Sequence, residues 1–79
     1  MDIRQLEAFV YTVKYQSFSL AAQKLYLSQP TVSSHINNLE KALGVQLFER
    51  VGKQFILTYA GEQYVEKAKL ILQLSHELD

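Results

Sequence analysis

The stretch Ser28-Gln29-Pro30-Thr31-Val32-Ser33-Ser34-His35-Ile36-Asn37-Asn38-Leu39-Glu40-Lys41-Ala42-Leu43-Gly44 decides the fold. Ser28 is a favoured N-cap, and Pro30 falls in the first turn, where a missing amide hydrogen costs little. Gly44 ends the run in the usual C-terminal manner, so a helix is predicted over 29–43. At 100° per residue Val32, Ile36, Leu39 and Leu43 fall within about 40° of one another and form the edge that faces a core. Pro30, Thr31, Ser34, Asn37, Asn38 and Lys41 fall on the opposite side, which carries no large aliphatic residue and no carboxylate; Glu40 lies nearer the core edge. Such short hydroxyls and amides can donate and accept toward many partners, and any surface helix is polar outside. Thr and Asn are poor helix formers, however. A purely solvated face more often carries Glu, Lys and Arg, so this cluster has a local cost that a binding role explains.

Working toward the N-terminus, Ser19 is a candidate cap for a short helix running from Leu20 to about Tyr26, with small alanines Ala21 and Ala22 that let another helix approach. Before it, Ile3, Leu6, Phe9, Val10 and Val13 recur at helical spacing, and Asp2 with Gln5 three residues on reads as a capping box. Two short helices joined by a tight turn form a helix-turn-helix unit. Toward the C-terminus, Gln46 to Arg50 and Gln54 to Leu57 are short, partly alternating runs around Val51-Gly52-Lys53, which predicts a β-hairpin with glycine in its turn. Thr58 then caps a final helix from Tyr59 to about Leu78, roughly 30 Å long. The fold class is mainly α: a winged helix-turn-helix of three helices plus a two-stranded β-hairpin over residues 1–58, followed by a long C-terminal helix over 59–79.

The chain has 79 residues, eight basic side chains against eight acidic, 48% hydrophobic residues and no cysteine. This composition excludes a disordered segment, a disulfide framework and a thiolate metal site. No metal and no cofactor is expected. No apolar run approaches the ~18 residues of a membrane span, and Met1-Asp2-Ile3-Arg4 lacks a signal-peptide layout, so no membrane partner and a cytoplasmic location are expected. Neutrality counts against a polyanion binder only if charge is spread evenly, and it is not. Residues 59–79 hold two lysines against Glu62, Glu66, Glu77 and Asp79, which leaves residues 1–58 mildly basic.

The residues resemble the N-terminal winged helix-turn-helix domain of LysR-type transcriptional regulators. The matching stretches are Ser17-Phe18, Ala21-Ala22, Leu25, Ser28-Gln29-Pro30, Ser33, Ile36, Leu39-Glu40, Leu43-Gly44-Val45, Leu47-Phe48-Glu49-Arg50, Leu57-Thr58 and Ala60-Gly61, spread over essentially the whole chain. The resemblance implies that the helix beginning at Gln29 enters the major groove of double-stranded DNA. Ser28, Gln29, Pro30, Thr31, Ser33, Ser34, Asn37 and Asn38 then lie toward bases and phosphates. The hairpin is similar to the family's wing, with Arg50 at its base and Lys53 at its tip. Many relatives carry arginine where this chain has Ser34 and glutamine where it has His35. Serine is too short for a bidentate contact to guanine, so readout shifts to Gln29, Thr31 or DNA shape. His35 lies on the flank of the wheel, where packing between helices competes with reading a base.

On the final helix Tyr64, Val65, Ala68, Ile71, Leu72, Ser75 and Leu78 form one broad stripe, widened by Leu70 and Leu74. A contiguous apolar surface of that kind marks an association site. The resemblance identifies 59–79 as the family's linker helix and implies a homodimer through it, reading an interrupted inverted repeat. It also implies that such regulators continue into an effector-binding domain, so a small-molecule effector acts only through a domain absent from this chain. An excised domain and a natural short form both fit that length. Catalysis is not expected. Only His35 and His76 are present, no paired-carboxylate motif accompanies them, and Gly44, Gly52 and Gly61 form no phosphate-cradling loop. The remaining alternative is a winged-helix module that binds protein.

Overall fold

In a computed structural model describing residues 1–78, the order is α1 (Ile3–Tyr15), α2 (Phe18–Leu25), α3 (Gln29–Leu43), β1 (Phe48–Val51), β2 (Gln54–Leu57) and α4 (Tyr59–Leu78). Side-chain caps explain most of these boundaries. Asp2 accepts from the Gln5 amide at 3.0 Å while the Gln5 side chain accepts from the Asp2 amide at 3.2 Å, the reciprocal box predicted for α1. The Gln5 amide holds the Asp2 carboxyl below the usual carboxylate value, with Arg4 and His35 adding weaker pulls in the same direction. The second helix begins earlier than expected. Its cap is Ser17, whose hydroxyl accepts from the Leu20 amide at 3.0 Å, and Ser19 lies inside the first turn. Gln16 adopts a left-handed conformation (φ 52°) that ends α1, so the chain needs only Gln16 and Ser17 to reverse into α2. Tyr26 ends α2 in the same way.

The third helix has the predicted bounds. Gly44, at φ 72°, closes it through a 2.8 Å bond from its amide to the Glu40 carbonyl. The hairpin is shorter than the expected 46–50 first strand. Leu47 lies outside the ladder as a fully buried core residue, and Val51 pairs with Gln54, leaving a two-residue turn of Gly52 and Lys53. Gly52 takes φ 63°, as the first position of a tight hairpin turn requires. Antiparallel register sets Phe48 opposite Leu57 and Arg50 opposite Phe55.

One core joins these elements. Phe9 and Thr12 of α1, Val32 and Leu39 of α3, and Leu47 are fully buried; Ala21 and Ala22 let α2 approach closely. Leu43, expected on the core edge, is half-buried. Two strands alone are marginal, and this pair leans on the helices through an aromatic cluster. The Phe48 ring meets Phe9 at 5.6 Å and Phe55 at 5.2 Å, both edge-on.

The core continues across the expected boundary at residue 58 into α4, where Gly61, Val65, Ala68 and Leu72 are buried. That corrects the stripe assigned to association. Val65, Ala68 and Leu72 already pack within their own chain, and Tyr64 and Ser75 are half-buried. The aliphatic side chains left on the free face are Leu70 (56% exposed), Ile71 (39%), Leu74 (52%) and Leu78 (91%), with Tyr59 also exposed at the start of the helix. Helical periodicity locates an apolar stripe but not which neighbour covers it.

The start of α4 is seated tightly. Thr58 donates its hydroxyl to the Gln46 carbonyl, accepts from the Gly61 amide at 2.9 Å, and bonds the Leu47 carbonyl through its own amide at 3.0 Å. A methyl group at Gly61 would stand 2.3 Å from that same Leu47 oxygen, so only glycine allows the approach. Among the described residues, no helix is long and apolar enough to cross a membrane.

Candidate nucleic-acid interface

The outward face of α3 is built from its cap. The Ser28 hydroxyl accepts from the Thr31 amide at 3.2 Å and lies 2.7 Å from the Thr31 hydroxyl. Both hydroxyls are therefore partly committed to holding the first turn. The first turn therefore has few open backbone donors. Pro30 has no amide hydrogen and the Thr31 amide is taken by Ser28, which leaves Gln29 as the residue best placed to offer a first-turn N–H outward.

Beyond the cap, Gln29, Pro30, Ser34, Asn37 and Asn38 are exposed, together with Lys41, while Thr31 and Ser33 are half-buried at the edge of the face. His35 is half-buried on the flank, as its wheel position suggests. Among the described residues, none of these side chains except Ser28 and Thr31 makes a side-chain hydrogen bond. The face therefore presents amides and hydroxyls whose hydrogen-bonding capacity is open to a partner.

Charge is arranged around that face. Among the described residues the ion pairs are Arg4 with Asp2 and Lys69 with Glu66, so Arg50, Lys53 and Lys41 are free of carboxylate partners. Lys53 occupies the hairpin tip; Arg50, expected at the base, instead pairs with Phe55 one step from the closing Val51–Gln54 pair, and both are exposed. The one carboxylate of α3 is turned away from the face. Glu40 accepts from the Leu47 amide at 2.7 Å and the Phe48 amide at 3.4 Å, tying the third helix to the foot of the hairpin. Sequence reasoning placed Glu40 near the core edge but missed this bond. An acid in the last turn of a helix, where the dipole disfavours it, was the available signal. Phe18 was also missed as a site residue: its ring lies 4.7 Å from Phe55, and the Arg50 guanidinium lies 5.9 Å from its centre.

A helix-turn-helix whose second helix turns out a polar, acid-free face, flanked by a hairpin carrying two unpaired cations, defines a winged helix-turn-helix DNA-binding domain. Residues 3–62 match the family of bacterial regulatory helix-turn-helix proteins designated lysR. The chain belongs to that family. It is 39% identical over 79 residues to the RuBisCO operon transcriptional regulator of Allochromatium vinosum, covering 100% of this chain and 26% of that protein. It is 46% identical over 72 residues to the HTH-type transcriptional regulator CitR of Bacillus subtilis, covering 91% of this chain and 25% of CitR. The chain thus spans about a quarter of the length of these curated relatives. Among solved structures, the BenM DBD in a DNA complex superposes with a TM-score of 0.91 at 38% identity, over 99% of this chain and 88% of that one. The CbnR DBD in a DNA complex gives 0.89 at 36% identity, over 98% and 88%. The relatives are transcriptional regulators.

Proposed function

We propose that the chain is the reading head and dimer helix of a LysR-type transcriptional regulator that works on DNA in the cytoplasm. In this reading α3, residues 29–43, lies in the major groove, and the wing, residues 50–54, follows the backbone toward the adjacent minor groove. The observation that carries it is the acid-free outer face of α3 beside the unpaired Arg50 and Lys53. A groove ~12 Å wide accepts a helix. Gln29, Pro30, Thr31, Ser33 and Ser34 lie nearest the bases; Asn37, Asn38, Arg50 and Lys53 serve phosphates and register, and Ser28 contributes through its cap. With Ser34 in place of a forked guanidinium, recognition depends on amide contacts and DNA shape.

Residues 59–79 then act as the association element. Leu70, Ile71, Leu74 and Leu78 leave a second copy an apolar ridge, and beside Ile71 a recess of about 130 Å³ opens between Leu6, Leu43 and Tyr64. Two heads related by a two-fold axis read an interrupted inverted repeat. In the whole regulator a further domain senses the small-molecule effector.

Selection of bound duplexes from a random pool, repeated at two salt concentrations, tests the reading. An enriched inverted repeat with affinity falling steeply as salt rises is expected. A pool without enrichment, bound equally at both salts, would favour the protein-binding alternative instead.

A further inference from the structure

We propose that Phe18 is a positioning residue for Arg50: its ring holds the guanidinium in the cleft between α3 and the hairpin, ordered for a phosphate before DNA arrives. The inference rests on the reading of Arg50 as a phosphate contact.

Arg50 lies opposite Phe55 in the ladder, so its side chain leaves the hairpin on the same face as Phe55, and by alternation Phe48. That face is turned toward the helices. Phe18, the first residue of α2, meets it there. Its ring stands 4.7 Å from Phe55 and 5.9 Å from Phe48, so two neighbouring rings hold it in place. The Arg50 guanidinium carbon lies 5.9 Å from the Phe18 centre, inside the range where a cation is attracted to a ring face.

Among the described residues no carboxylate forms an ion pair with that cation. Glu40 shares the cleft, but its carboxylate accepts the Leu47 and Phe48 amides. Glu49, the neighbour in sequence, also lines the cleft, but strand alternation turns its side chain to the other face of the hairpin, and it forms no ion pair with Arg50. The cleft itself measures about 240 Å³, and its lining includes Phe18, Ser33, Asn37 and Arg50 as well as Glu40 and Glu49, so the guanidinium shares it with polar side chains of the third helix. A free arginine loses much rotamer freedom when a phosphate orders it, which weakens the contact; a ring that orders it beforehand removes part of that loss. Phe18 therefore adds to DNA affinity without touching DNA.

A double-mutant cycle on the 79-residue chain, read by fluorescence anisotropy with a mixed-sequence duplex at two salt concentrations, tests this. Arg50→Ala is expected to weaken binding and to reduce the salt slope by about 1. Phe18→Leu is expected to weaken binding about two- to five-fold with the salt slope unchanged, because the charge remains. Introduced into Arg50→Ala, Phe18→Leu is expected to cost nothing more. Equal losses in both backgrounds would overturn the proposal and leave the DNA-binding reading standing. Failure of the unmodified chain to bind any duplex would overturn both. Proton spectra of the unmodified chain give a test free of mutant folding: the Arg50 side-chain resonances are expected upfield of those of an unstructured arginine, and unshifted resonances would overturn the proposal.

Discussion

Helices α3 and α4 solve the same inward problem and opposite outward ones. Each buries a stripe at three- and four-residue spacing, Val32, Ile36 and Leu39 in one, Val65, Ala68 and Leu72 in the other. On the free side α3 shows Ser34, Asn37 and Asn38, and α4 shows Leu70, Leu74 and Leu78. The inner stripes account for the fold of one chain; the outer faces have no role in it. Their difference separates a surface suited to hydrogen-bonding partners from one suited to apolar contact.

If the inner stripes are equivalent, they should fail alike. Leu39→Ala and Leu72→Ala are each expected to cost about 2–5 kcal/mol, since both delete buried methyl groups from one core. Urea unfolding measures this, and a negligible loss for Leu72→Ala would move α4 out of the core. The outer faces should instead diverge. Leu74→Asp is expected to change the unfolding free energy of the isolated chain by no more than about 0.5 kcal/mol, because the residue is half exposed and lines no core. In sedimentation it should weaken self-association by at least about ten-fold, or ~1.4 kcal/mol. Unchanged association would break the contrast between the two faces.

The smallest effect concerns how helices begin. Helices α3 and α4 are capped by the hydroxyls of Ser28 and Thr58, which do not titrate, whereas α1 is capped by the Asp2 carboxylate. The folded Asp2 pKa is held below its ordinary value, so its contribution is present above that value and lost as the pH falls through the lower, folded one. The exchange protection factor of the Gln5 amide is therefore expected to fall on acidification through that window, while those of Thr31 and Gly61 hold. Parallel behaviour of all three would remove the distinction.

Much of this was legible in the sequence because local chemistry sets it. The bounds of α3 followed from Ser28, Pro30 and Gly44, and the α1 box from Asp2 and Gln5, since each cap is closed by residues a few positions apart. The start of α2 was misplaced because Ser17 and Ser19 are chemically equivalent caps; the left-handed turn that selects Ser17 falls on Gln16, where no glycine signals it. Leu47 was read as strand because an apolar residue beside a strand has the same pattern whether it pairs or plugs a core. For α4 the stripe was visible and its neighbour was not. At the interface, the exposed amides and hydroxyls were legible from the wheel. The Glu40 bonds and the Phe18 ring beneath Arg50 link residues distant in sequence and appear only once the chain is folded.

The seat of Gly61 against the Leu47 carbonyl has a geometrical consequence for any assembly built on α4. The helix is a rod of about 30 Å whose direction is set at one end, so an error of about 10° there displaces its far end by about 5 Å. That exceeds the 3.4 Å rise per base pair along the duplex axis. A glycine that admits no extra atom fixes the launch angle of the rod, and so sets the tolerance with which two heads could be held to a given number of base pairs.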